Sequence, residues 1–212
     1  MFKKDKYAFI KRAISKELAE FCYDYFLTKR KAARMFYDSR YISEFNSNWG
    51  VWNDPQVPDT YSHYGDIVMD TLLEKLQPRL EAESGLELSP TYSYARIYKN
   101  GDVLKRHTDR YSCEISSTMN LGGDPWELFI DPTGGTGKKG KSFLMEAGDL
   151  VVYKGCDVEH WREKFEGENC GQVFFHYNNA KEEEAEENKF DTRPFLGLPS
   201  WFKGFKIEKL TK

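Results

Sequence analysis

From Gly85 onward the chain changes texture, and this change constrains the fold more than any other feature. Short runs of β-branched and aromatic residues alternate with glycine-rich turn signals. That alternation is the pattern of an all-β unit. It predicts strands over 91–99 (TYSYARIYK), 103–107, 112–121 (SCEISSTMNL), 126–130 (WELFI), 141–146 (KSFLME), 149–154 (DLVVYK) and 172–177 (QVFFHY). Turns are expected at Asn100-Gly101, at Gly122-Gly123-Asp124, across 132–140 and at Ala147-Gly148-Asp149. A set of about seven such strands buries its edges by closing into a barrel or jelly roll.

The first part of the chain reads differently. YAFI (7–10) predicts a short strand. Ser15 is placed as a helix N-cap. Leu18, Phe21, Cys22, Tyr25 and Phe26 follow at helical spacing, and the helix is expected to reach about Phe36. Residues 38–62 show no clean period and read as a long loop with a strand near Trp49–Trp52. A second helix fits 64–84, with Pro78 expected to kink or interrupt it. The expected class is therefore α+β, mainly β, with the helices buttressing one outer face of the barrel. The chain divides into a helical support region (1–88), a β core (89–179) and an acidic linker with an aromatic docking tail (180–212), all in one domain.

Several function classes lose support. The net charge of -3 comes from mixed signs, and no basic stripe suggests a nucleic-acid partner. Cys22, Cys113, Cys156 and Cys170 form no CxxC pair, which argues against a cysteine zinc knuckle. No run approaches the ~20 apolar residues of a membrane span, and the N-terminus carries no signal-peptide pattern. The expectation is a cytoplasmic protein with reduced thiols. PTGGTGKKGKS departs from the order of a phosphate loop and joins two predicted strands, so it reads as a hairpin turn.

The chemistry concentrates in RIYKNGDVLKRHTDRYSCEIS (96–116). His107 and Asp109 follow a charged turn at the start of an apparent strand. Strand side chains alternate, so residues two apart share a face and these two point to one spot. His160 follows the GDLVVY strand, and a barrel connection can return it to the same mouth. Two histidines and one carboxylate on one face of a metal leave the remaining positions open, the facial triad of non-haem Fe(II) oxygenases. Among the other histidines, His176 is expected in the core or behind the site, and His63 is incidental. Ser116 and Thr118 share a strand face and are expected to line the pocket. Arg110, Tyr111 and the 38–62 loop with Trp49, Trp52 and Tyr61 are placed near substrate, although the aromatics suit plain packing equally.

HTD (107–109), the strand CEISSTMNL, the segment AGDLVVY (147–153) and the distal His160 together resemble the Fe(II)- and 2-oxoglutarate-dependent dioxygenases. The likeness is to the prolyl 4-hydroxylase-like branch, which also carries a tyrosine and a turn before its HxD, as Tyr98 to Asp102 do here. It covers about residues 90–179. The resemblance implies a double-stranded β-helix, a cupin-like jelly roll. It implies Fe(II) held by His107, Asp109 and His160, with 2-oxoglutarate and O2 as cosubstrates. It also implies hydroxylation of an unactivated C–H bond, on a prolyl residue of a peptide or protein, with release of succinate and CO2.

One position departs from the family pattern. The family places an Arg or Lys on the strand after the distal histidine, to pair with the far carboxylate of 2-oxoglutarate. Here 169–172 are Asn169, Cys170, Gly171 and Gln172. A buried carboxylate needs a partner, and arginine offers a two-pronged one. Arg162 is the favoured residue, with Tyr98 as a hydrogen-bond donor and Arg96 as the alternative. Other readings stay open at this level. They are an oxygenase acting on a free amino acid, another small molecule or a nucleobase; a zinc-dependent cupin-like enzyme; and a non-catalytic β-barrel binding module.

Overall fold

The computed structural model describes residues 2–43, 45–135 and 137–203. A single helical turn, α1 (Phe2–Asp5), leads into β1 (Tyr7–Ile10) and then α2 (Lys16–Asp38). Ser15 caps α2, its hydroxyl accepting from the Leu18 amide at 3.2 Å. Ala19, Cys22, Phe26 and Ala33 form the buried face of α2, whereas Leu18 and Phe21 stay exposed, contrary to the sequence expectation. The stripe is rotated: Phe26 enters the core with Tyr23 and Tyr25 packed beside it, and Ala19 is buried where Leu18 is not.

The loop after α2 holds no strand near Trp49–Trp52. A 3-10 turn (Ser47–Trp49) stands there instead, and Val51 makes one isolated bridge to Ser62. The strand of this region is β2 (Tyr61–Tyr64), which the sequence reading missed. Helix α3 (Ile67–Ser84) begins three residues later than expected and runs through Pro78 without a break. Proline removes one backbone donor, but Leu72, Leu73, Leu76 and Leu80 on one buried face hold the helix on the sheet. Gly85 ends it in the left-handed conformation (φ 68°), which glycine adopts without a Cβ penalty.

The remaining strands are β3 (Leu88–Lys99), β4 (Leu104–His107), β5 (Ile115–Gly123), β6 (Leu128–Asp131), β7 (Lys141–Phe143), β8 (Leu150–Lys154), β9 (Glu159–Arg162) and β10 (Asn169–Asn179). They form two antiparallel sheets, ordered β1-β8-β5-β10-β3-β2 and β4-β9-β6-β7. This is the double-stranded β-helix. The glycine-rich 132–140 stretch joins β6 to β7 as a hairpin connection, as expected.

Alternation along the large sheet sorts its residues into two compartments. Ala95 and Ile97, Ile115 and Met119, and Val173 and Phe175 pack under α2 and α3. The opposite parity (Arg96, Tyr98, Ser116, Thr118, Gln172, Phe174, His176) faces the barrel interior. Strands buried on both faces explain the near-continuous burial of β3 and β10.

A buried polar knot ties the helices to the sheet. The Asp66 carboxylate caps α3 through the amides of Val68 and Met69 and accepts from Lys29 at 2.5 Å and Tyr25 at 2.8 Å. His63, read as incidental, stands 3.2 Å from the same carboxylate. Burial opposes the charge of Asp66, but His63 and Lys29 outweigh it and hold its carboxyl well below the usual range. Asp66→Ala should cost about 3 kcal/mol in urea unfolding at neutral pH, because it strands buried partners. The contribution of this ionised group is full above the ordinary carboxylate pKa of about 3.9 and is lost as pH falls toward the depressed folded value.

The acidic 181–188 stretch is mostly exposed turns, with Ala185 tucked in. Beyond it Arg193 is buried against Asp70 and the carbonyls of Thr91 and Leu198, which docks the tail on the body. Trp201 is exposed, and Phe205 lies outside the described residues. Among the described residues no helix is long and apolar enough to cross a membrane.

Candidate metal centre

Strand β4 ends at His107, and its antiparallel neighbour β9 sets His160 directly opposite. The two imidazole rings lie 4.2 Å apart. Asp109 is brought in differently from the sequence argument. It is not on a strand, because β4 stops at His107 and β5 starts only at Ile115. Strand alternation therefore does not aim it. Its amide donates to the Gly155 carbonyl at 2.9 Å, and this bond folds the 108–110 link back over the end of β8.

The three side chains converge. One ligand-type atom from each of His107, Asp109 and His160 lies within 4.8 Å of the others. Asp109 Oδ1 is 3.7 Å from His107 Nε2 and 3.6 Å from His160 Nε2. Each imidazole has its other nitrogen on a backbone carbonyl. His107 Nδ1 donates to Lys105 O at 2.7 Å and His160 Nδ1 to Val158 O at 3.1 Å. Those bonds put the proton on Nδ1 and leave the Nε2 lone pairs facing the shared spot. Burial holds the His160 pKa below its ordinary value against the opposing Asp109 charge, so His160 stands neutral and able to ligate. Outside the barrel Arg106 pins β4 to its neighbours, through Glu159 at 2.5 Å, Asp131, and the face of Trp161 at 4.1 Å.

The second oxygen of Asp109 is also held. Ser116 donates to Oδ2 at 2.6 Å, and His176 Nδ1 stands 3.0 Å from the Ser116 oxygen. His176 lies tilted at 44° against the Tyr92 ring and is neutral, its pKa pushed down to about 4 by burial. Gly155, which the sequence reading passed over, sits under this cluster. A Cβ there would come within 2.2 Å of Cys113 O and 2.5 Å of Asp109 Oδ2. Gly155→Ala should therefore displace Asp109 and weaken Co(II) binding by about tenfold or more, with about 1–3 kcal/mol lost to overpacking. Metal titration beside urea unfolding would separate the two effects.

A cleft of about 730 Å³ opens over the triad. Its far wall comes from the loop before β2, where Asn53, Asp54, Pro55 and Gln56 meet Tyr94 and Arg96. The Gln56 amide donates to His107 Nε2 at 3.1 Å and accepts from Arg96. The sequence marked this loop as functional but singled out its aromatics. Trp49, Trp52 and Tyr61 instead pack in the core cluster, and the polar Asp54 and Gln56 reach the cleft. Arg110 lines the cleft; Tyr111 does not.

The three expected cosubstrate residues lie together but in different states. Arg96 is buried and paired with Asp54, and it donates to Tyr98 at 3.0 Å. Its charge is met within the protein. Arg162 lies two residues along β9 from His160 and is fully buried. Its guanidinium donates to Trp126 O at 2.6 Å and Gln172 Oε1 at 3.1 Å and lies over the Trp126 ring. Among the described residues it has no carboxylate partner, and its Nε has no acceptor. Burial holds its pKa below the ordinary arginine value, a cost that an anion beside it would remove. The hydroxyl of Thr118 reaches Gln172 in the same interior at 3.4 Å.

Comparison with solved structures places the fold. A prolyl-4-hydroxylase from Pseudomonas putida aligns with a TM-score of 0.59 at 12% identity, covering 84% of this chain and 95% of that one. A prolyl hydroxylase from Trichoplax adhaerens, in complex with a hypoxia inducible factor oxygen degradation domain peptide, aligns at 0.56 and 14%, covering 85% and 86%. HygX from Streptomyces hygroscopicus, with nickel, 2-oxoglutarate and hygromycin B bound, aligns at 0.53 and 13%, covering 85% of each chain. No family model matches the sequence, and no curated protein matches it. At these identities the likeness establishes the double-stranded β-helix.

Proposed function

We propose that this chain is an Fe(II)- and 2-oxoglutarate-dependent dioxygenase, folded as one oxygenase domain, that hydroxylates a prolyl residue in a peptide or protein. One observation carries the reading. Three ligand atoms of the His-Asp-His set converge at the barrel mouth, and a buried arginine without a carboxylate partner stands two residues from one of them.

The donor set suits the metal. Two imidazoles held by Nδ1–H bonds to backbone carbonyls and one carboxylate are the ligands of a site that keeps open positions, with Gln56 yielding the His107 Nε2 lone pair to the metal. On this reading His107, Asp109 and His160 hold the iron. Arg162 receives the far carboxylate of 2-oxoglutarate, and the Tyr98 hydroxyl, which already accepts from Arg96, donates its proton to the same group. Fe(II) with 2-oxoglutarate and dioxygen supplies the oxidation that places a hydroxyl on an unactivated C–H bond, with succinate and CO2 released. The protein orients the substrate against that site and keeps the cosubstrate charge out of water.

The peptide reading draws on the rim. Asn53, Pro55, Gln56 and Arg110 are exposed around the cleft, and His107 keeps 25% of its side-chain surface, so the triad opens onto a groove. A groove suits a polypeptide better than a free amino acid, which calls for a closed pocket. Two of the similar structures are named as prolyl hydroxylases, one with a peptide. HygX with its bound hygromycin B keeps a small-molecule substrate as the competing reading. The test is incubation with Fe(II), 2-oxoglutarate and a pool of proline-containing peptides, read by mass spectrometry. Gain of one oxygen atom on a prolyl residue, matched by succinate, supports the proposal. Succinate formation that only small molecules stimulate would overturn the peptide assignment.

A further inference from the structure

We infer that Ser116 and His176 form a hydrogen-bond relay that positions Asp109 for metal binding, which makes both of them positioning residues of the site. The inference rests on the reading of His107, Asp109 and His160 as the iron ligands.

Ser116 on β5 and His176 on β10 are direct cross-strand partners, and both side chains point into the barrel. The serine hydroxyl has one proton and three neighbours. These are Asp109 Oδ2 at 2.6 Å, Cys113 O at 2.9 Å and His176 Nδ1 at 3.0 Å. The shortest contact is to the charged acceptor, and charge-assisted bonds are the stronger ones. The proton therefore goes to Asp109. The serine oxygen is then free to accept, and His176 Nδ1–H is the donor facing it. The opposite tautomer would turn the serine proton toward the histidine and leave two oxygens facing each other at 2.6 Å.

The chain His176 to Ser116 to Asp109 thus runs in one direction, and each bond polarises the next. At its outer end Tyr92 fixes the His176 ring, with centroids 4.6 Å apart. At its inner end Asp109 Oδ2 is committed, which leaves Oδ1 alone facing both Nε2 atoms. This matters because Asp109 sits on an irregular link and not on a strand. Among the described residues no other hydrogen bond to the carboxylate selects which oxygen faces the histidines. The bland reading is that two buried polar groups satisfy one another. That reading predicts an effect on stability alone.

The test is anaerobic Co(II) titration of wild type, Ser116→Ala, Ser116→Thr, His176→Phe and His176→Asn, beside urea unfolding of each metal-free protein. Outer partners of metal ligands typically contribute ten- to a hundredfold in affinity, so Ser116→Ala should bind Co(II) about 10–100-fold more weakly. Ser116→Thr, which keeps the hydroxyl, should stay within about threefold of wild type, and His176→Asn should recover most of what His176→Phe loses. The Co(II) absorption bands should shift in the variants that lose the relay. Co(II) binding by Ser116→Ala within twofold of wild type would overturn the inference, as would Ser116→Thr binding as weakly as Ser116→Ala. If His176→Phe does not fold, the serine pair decides. A wild type whose Co(II) binding is unchanged by His107→Ala would overturn the iron-site reading and this inference with it. Binding that needs His107 but not Ser116 would overturn this inference alone.

Discussion

His107→Ala is expected to abolish iron binding and turnover while leaving the fold in place. His107 lies at the end of β4, and its side chain is 25% exposed. Its removal opens no core cavity, so unfolding should change by less than about 1 kcal/mol. With His107 as one of the three proposed ligands, its removal should weaken Fe(II) binding by at least about 100-fold, beyond what loss of an outer partner causes. His160→Ala should lose the same affinity and also stability. His160 is buried between the His107 and Tyr153 rings, and a large buried side chain cut to alanine costs about 2–4 kcal/mol. The two variants measured together separate ligation from packing. Equal Fe(II) affinity in wild type and His107→Ala would remove the triad from the account.

The second large effect is expected at Arg162. Arg162→Met should leave Fe(II) binding near wild type and weaken 2-oxoglutarate binding by about 100–1000-fold, the loss expected when one partner of a buried ion pair is removed. It should also leave the cosubstrate-free protein as stable as wild type or more so, because a buried guanidinium without a carboxylate is costly and a thioether of similar length is not. Arg96→Met should behave in the opposite way. Asp54 would lose its buried partner, and the cleft wall it holds would loosen. Thermal shifts with and without 2-oxoglutarate read both variants. If 2-oxoglutarate stabilises Arg162→Met as well as wild type and fails to stabilise Arg96→Met, the two arginines exchange roles.

Much of this was legible in the sequence, and the failures have physical causes. The alternating β pattern after Gly85, the HxD and the distal His160 were readable because strand period and ligand chemistry are local. The order of the sheets, and so the pairing of His107 with His160, needed the fold. Strand β9 went unseen because EHWR is short and polar; His160 and Arg162 are buried there for their chemistry, not for apolar content. Strand β2 (YSHY) was hidden in the same way, since Ser62 and His63 are buried polar groups, the first bonded to Tyr94 on β3 and the second to the nearby Asp66. Asp109 reaches the site through a backbone bond to Gly155, where the sequence argument invoked strand alternation. Gly155 itself carries no sequence signal beyond a turn glycine. Asp54 and Gln56 lie in a loop without period, where nothing marks which polar residue turns inward.

The most direct test is anaerobic titration of the purified protein with Fe(II), with and without 2-oxoglutarate, followed by visible absorption and run beside His107→Ala. The expected result is a weak visible charge-transfer band that requires both additions and is absent from the variant. Wild-type protein that develops no band with both additions present, or a band equally strong in His107→Ala, would contradict it.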